Sequence, residues 1–171
     1  TRVRVNPSPL RRSRVLTGRT HLTLEVKDLD AARAFYADRF GLSAAEVSDR
    51  EVVFPVGATS LRLRRPDGVP RGGLHTHFAF TAAPNTGAAW RARLADLDPE
   101  TATFGDVASL YVYDPDGNCV EIGGLDPDGG TDPTTDPGPP TGIFEVVLDV
   151  AALESAVERF VALGFELVDR G

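Results

Sequence analysis

Apolar and polar positions alternate through "HLTLEV" (21–26), the pattern of a strand. The period then turns helical in "DLDAARAFYADRFGL", where Ala32, Phe35, Tyr36 and Phe40 recur behind the acidic start at Asp28 and Asp30, and Gly41 supplies the stop. Three strand-like runs follow, "AAEVSD", "EVVFPVG" and "TSLRLRR", separated by polar residues or glycine. Beyond the loop "PDGVPRGG" the order begins again. "LHTHFAFTA" reads as a strand, "NTGAAWRARLADL" as a helix with Trp90, Leu94 and Leu97 inward, and "TATFGDV", "SLYVYD" and "NCVEIGG" as strands. Two β-α-β-β-β units set about 55 residues apart form an internal repeat.

The last two strands of the second unit, in "YVYDPDGNCVEI", flank Asp-Pro-Asp-Gly. Proline at the second turn position and glycine at the fourth suit a type I turn, so this segment predicts a hairpin. Residues 126–141 are dominated by Gly, Pro, Asp and Thr, which cannot bury apolar surface, and they read as a linker. Residues 142–171 repeat the strand-helix-strand opening in "GIFEVVLDV" and "ALESAVERFVALGFELVDRG", with Leu153, Ala156, Val157 and Phe160 at helical spacing. That is half of a third unit, whose open strand edges predict that it docks elsewhere or that the protein continues. Residues 1–20 carry six arginines, no acid and no sustained apolar period, and read as a flexible basic tail. The expected organisation is thus this tail, a domain over 21–125 with modules at about 21–66 and 74–125, the linker, and a partial module over 142–171.

Composition narrows the partners. A chain of 171 residues with 42% hydrophobic residues can bury a real core. Its net charge of −7 argues against nucleic acid, whose phosphates want a basic surface, and leaves small molecules as the expected partners. No apolar run approaches the roughly 20 residues of a membrane span, and the N-terminus lacks the apolar segment of a secretory signal, so a soluble, cytoplasmic protein is expected. The single cysteine, Cys119, excludes an internal disulfide and a multi-cysteine zinc site and reads as core packing.

The candidate chemistry comes from strand alternation. His21, Thr23 and Glu25 share one face of the first strand, and His75, His77 and Ala79 share one face of the strand opening the second unit. Glu121 stands between Val120 and Ile122 in the last strand of that unit, and a carboxylate carried into apolar surroundings needs a partner. If the first strands of the two units approach, with the last strand of the second unit beside them, His21, a histidine near residue 77, and Glu121 converge. Two histidines and a carboxylate on one face of a divalent ion is the ligand set of non-haem iron oxygenases and related sites.

These segments, "HLTLEVKDLDAARAFYADRFGL", "HTHFAF" and "SLYVYDPDGNCVEI", resemble the vicinal oxygen chelate superfamily, which includes glyoxalase I, bleomycin-resistance proteins, fosfomycin-modifying thiol transferases and extradiol ring-cleaving dioxygenases. The resemblance implies an α+β fold of paired βαβββ modules forming an open, cupped sheet around a metal, here followed by the start of a third module. It carries the ligand positions onto His21, His77 and Glu121, with His75 as the competitor of His77. It also carries a substrate-orienting role onto Tyr111 and a substrate contact onto Thr23.

The family chelates substrates through two neighbouring oxygens. A glyoxalase resembling this chain would add an acid on the strand closing the first module, where "TSLRLRR" has none. The three-ligand set and the multi-module layout favour extradiol-type ring cleavage with Fe(II). Fosfomycin-type thiol transfer, with Mn(II) as its expected metal, is the alternative, although "GGLDPDGG" follows Glu121 where such transferases usually offer cations. Arg62, Arg64 or Arg65 are the available substitutes. A metal-free binding protein of the bleomycin-sequestering kind is the reading from another class. The resemblance is compatible with a homodimer.

Overall fold

A computed structural model describes residues 4–7, 21–68, 76–127 and 132–169. In chain order it contains β1 (Arg4–Pro7), β2 (Leu22–Glu25), α1 (Leu29–Phe40), β3 (Glu46–Val47), β4 (Glu51–Val56), β5 (Thr59–Arg64) and β6 (His77–Thr81). There follow α2 (Gly87–Arg93), β7 (Glu100–Phe104), β8 (Val107–Tyr113), β9 (Cys119–Leu125), β10 (Gly142–Val147), α3 (Leu153–Ala162) and β11 (Phe165–Asp169). The chain divides into two units, His21–Val146 and a smaller one made of residues 1–20 and 147–171. Among the described residues no helix is long and apolar enough to cross a membrane.

Local chemistry sets the element ends. Asp28 Oδ1 accepts hydrogen bonds from the N–H groups of Asp30 and Ala31, both at 3.0 Å, which starts α1, and Gly41 at φ +66° closes it. The second helix is shorter than its pattern predicts. After α2 the chain tightens into a 3₁₀ turn at Ala95–Leu97 that stops at Asp98, φ +51°, while Trp90 and Leu94 are fully buried as expected.

In the larger unit the first module gives a sheet of order β2-β5-β4-β3 and the second gives β6-β9-β8-β7 with β10 added beside β6. Within each module the first strand pairs in parallel with the last, β2 with β5 and β6 with β9. The two sheets share one core. Tyr36 and Phe40 of α1 meet Phe54 of their own module and Phe78, Phe80 and Trp90 of the other, at ring separations of 5.2–6.5 Å.

The expected approach of the first strands of the two modules is not what the chain adopts. β2 and β6 lie in different sheets, and the side of β6 away from β9 is taken by β10. The opening strand of the third repeat lies beside the first strand of the second module. Thr141 N–H donates to Thr81 O at 2.9 Å, Ile143 enters the core, and the ring of Phe144 occupies the space beside Gly123, where a Cβ would stand 2.8 Å from it. Gly57, at φ +59° in the β4–β5 turn, makes the same docking possible, since a Cβ there would fall 2.0 Å from Thr141 O. Gly57→Ala is expected to destabilise the protein by about 1–3 kcal/mol through strain and this collision, read as a lowered urea midpoint.

In the smaller unit β1 pairs antiparallel with β11, and the rings of Phe160 and Phe165 meet edge to face at 5.5 Å. The flexible-tail expectation is therefore corrected at Arg4–Pro7. Four residues are too few to show a period, and their ordering comes from a partner strand more than 150 positions away in sequence. Residues 8–20 of that tail, and residues 128–131 of the linker, lie outside the described residues.

Candidate metal centre

On β9, Val120 and Ile122 point into the core and Glu121 points to the opposite face. Register fixes its neighbours: Ala79 of β6 and Tyr111 of β8 stand directly beside Glu121, and His77 lies two residues before Ala79, on the same face. His77 Nε2 is 2.9 Å from Glu121 Oε2, and the two side chains are 18% and 4% exposed. The ring of Tyr111 meets the His77 imidazole edge-on, centroids 5.7 Å apart at 71°. The structure therefore brings His77, Glu121 and Tyr111 together.

A third potential ligand joins them from β10. One ligand atom each from His77, Glu121 and Glu145 lie within 4.8 Å of one another. Ligands about 2.1 Å from one ion stand about 3 Å apart at a right angle and about 4 Å apart across it, so an imidazole nitrogen and two carboxylates at these separations fit a divalent cation with little movement. With Thr141 bonded to Thr81 at one end of the β6–β10 pair and Glu145 close to His77 at the other, the two strands run antiparallel.

Sequence reasoning passed over Glu145, although a signal for it exists. "EVVLDV" (145–150) superimposes on "HLTLEV" (21–26) at a constant offset of 124 (145 minus 21), matching Leu148 to Leu24, Asp149 to Glu25 and Val150 to Val26. Glu145 then occupies, in the third repeat, the position His21 holds in the first.

The other predicted site residues lie elsewhere. His21 precedes β2 and Thr23 lies within it, in the first module's sheet; both are exposed, and His21 is not a member of the cluster. His75 falls outside the described residues. On that same sheet Arg62 faces Glu51 at 3.6 Å, Arg64 faces Glu25 at 3.4 Å, and Arg65 Nε donates to Asp49 O at 2.8 Å, so the arginines considered as anion ligands have partners of their own. Cys119 is buried, as a packing residue would be.

The turn between β8 and β9 sets the position of Glu121. Gly117 N–H donates to Asp114 O at 2.9 Å and Gly117 takes φ +86°, a type I turn followed by a left-handed glycine. The buried Asp114 carboxylate accepts four hydrogen bonds: Oδ1 from the N–H groups of Asp116 and Asn118, Oδ2 from Asn118 Nδ2 and the Tyr36 hydroxyl, at 2.8–2.9 Å. Asp116 Oδ1 in turn accepts from Lys27 N–H at 3.0 Å. Burial, reinforced by the Asp114 charge, its hydrogen bond and the Asp116 charge, holds the Tyr36 phenol well above its ordinary range.

A family model, the glyoxalase/bleomycin resistance protein/dioxygenase superfamily, matches residues 18–122, well over half of the chain. The chain belongs to this superfamily. FosB, a metallothiol transferase of Shouchella clausii (strain KSM-K16), is 29% identical over 119 residues, covering 63% of this chain and 80% of FosB. The crystal structure of a lactoylglutathione lyase from Agrobacterium tumefaciens is 31% identical with a TM-score of 0.50, covering 63% of this chain and 92% of the lyase. A fosfomycin resistance protein, FosX of Listeria monocytogenes, solved with Mn(II) and sulfate, is 25% identical with a TM-score of 0.51, covering 63% of this chain and 89% of its own. The superfamily match ends at Ile122, so His77 and Glu121 lie inside it and Glu145 lies beyond it.

Proposed function

We propose that this superfamily member is a divalent-metal-dependent enzyme acting on a small molecule that chelates the ion, with fosfomycin-type epoxide opening as its reaction class. The observation that carries the reading is the cluster of His77 and buried Glu121 with a second carboxylate close by. A divalent ion held there would act as a Lewis acid on the bound substrate oxygens. His77 and Glu121 supply two of its ligands. Tyr111, packed edge-on against the His77 ring, would orient the substrate.

Ring cleavage, the first choice on sequence grounds, now takes second place. The relatives described above are a metallothiol transferase, a fosfomycin resistance protein and a lactoylglutathione lyase, and one of them carries Mn(II). A second carboxylate in the cluster also supports Mn(II) over Fe(II), because oxygen donors suit the harder ion. The metal-free binding reading is disfavoured by the same cluster.

The test is consumption of fosfomycin by the Mn(II)-supplied protein, followed by phosphorus NMR with and without small thiols, beside oxygen uptake with catechols under Fe(II). Thiol addition forms a C–S bond, opens one epoxide C–O bond and delivers the thiol proton to the released oxygen. Thiol-dependent loss of fosfomycin without oxygen uptake is the expected result. Oxygen uptake with a catechol, and no change in fosfomycin, would return the assignment to ring cleavage.

A further inference from the structure

We propose that Glu145 is the third metal ligand, so that the centre is built by the second and third repeats and His21 takes no part in it. The inference rests on the reading that His77 and Glu121 hold a divalent ion.

Its first support is geometric. Glu145 is in the cluster of candidate ligand atoms with His77 and Glu121, and His21 is not. The strand that carries Glu145 is firmly seated beside β6. It is hydrogen-bonded through Thr141 to Thr81, anchored in the core by Ile143 and Val146, and admitted by the missing side chains of Gly57 and Gly123. The sheet edge that would have to receive the first strand of the first module for His21 to reach the ion is therefore filled.

The second support is the repeat itself. His21 and Glu145 hold the same position in the sequence repeat, at the offset of 124, although His21 stands just before β2 and Glu145 lies inside β10. β10 thus brings to β6 a residue at the repeat position of His21, with a carboxylate in place of the imidazole. One imidazole and two carboxylates neutralise a divalent ion completely and are richer in oxygen than two imidazoles and one carboxylate. This set favours Mn(II) or Mg(II) over metals that prefer nitrogen.

Equilibrium Mn(II) binding to the full chain, measured by EPR of the free ion, separates the alternatives, with far-UV circular dichroism and thermal unfolding of the metal-free variants as the check on folding. Glu145→Gln is expected to weaken Mn(II) binding at least about 10-fold and His21→Ala to leave it within about twofold, since only a ligand contributes directly to the ion. Glu145→His should restore a three-ligand site and raise the preference for Zn(II) over Mn(II). Loss of binding in His21→Ala, whether or not Glu145→Gln also loses it, would overturn the assignment. Unchanged binding in a folded Glu145→Gln would do the same. A wild-type chain that binds none of Mn(II), Fe(II) or Zn(II) would overturn the metal-dependent reading itself, and this inference with it.

Discussion

Asp114→Ala is expected to lower the unfolding free energy by roughly 3–5 kcal/mol, among the largest effects of any single substitution in this chain. The carboxylate is 5% exposed and accepts four hydrogen bonds, so its removal orphans two backbone N–H groups of the turn, the Asn118 amide and the Tyr36 hydroxyl. It also releases α1 of the first module from the β8–β9 hairpin of the second. Tyr36→Phe removes only one donor and should cost roughly 1–3 kcal/mol. Urea unfolding of the two variants and their combination measures the coupling. Independent additive losses would show that the Tyr36 bond to Asp114 contributes nothing.

Alkaline pH probes the same bond. The Tyr36 phenol is raised well above its ordinary value near 10, foremost by burial and then by Asp114. A raised folded value means that the neutral phenol's stabilisation is fully present below the unfolded pKa of about 10 and is lost as pH climbs toward the folded value. In that window stability should fall by about 1.4 kcal/mol per pH unit from this group alone. Tyr36→Phe should flatten that fall, and an unchanged slope would show that the phenol does not titrate on unfolding.

The hairpin, α1 and the repeat were legible because each is written in local chemistry. Asp-Pro-Asp-Gly carries its own turn, Asp28 and Gly41 mark the helix ends, and alternation puts His77 and Glu121 on the face away from the core. Partner choice between strands was not legible, since it is decided by which apolar faces can be buried together. β6 could accept the opening strand of either other repeat, and docking on Gly57 and Gly123 decides for β10. The same limit hid the pairing of Arg4–Pro7 with β11 and the place of Glu145 in the cluster.

Glu121→Gln should separate the work of the metal centre from the stability of the fold. The change keeps the shape of a side chain that is 4% exposed and removes its charge. Burying a carboxylate is expensive, and its attraction to His77 at 2.9 Å offsets only part of that expense, so the metal-free variant is expected to be as stable as the wild type or slightly more so. Metal should act differently on the two proteins. Mn(II) at a hundred times its dissociation constant stabilises the form that binds it by about 2.7 kcal/mol, which for a chain of this length raises the melting temperature by about 5–10 °C. That increment should vanish in Glu121→Gln. Thermal scans with and without Mn(II) decide between two roles for the same residue. An increment present in the wild type and absent in the variant makes Glu121 a ligand whose burial is sustained by the ion. A variant that melts far lower without metal, beside a wild type indifferent to Mn(II), makes it a structural partner of His77. In that event the reason for a buried carboxylate beside Ala79 and His77 would lie in strand registry between β6 and β9, and the metal-dependent reading would fail with it.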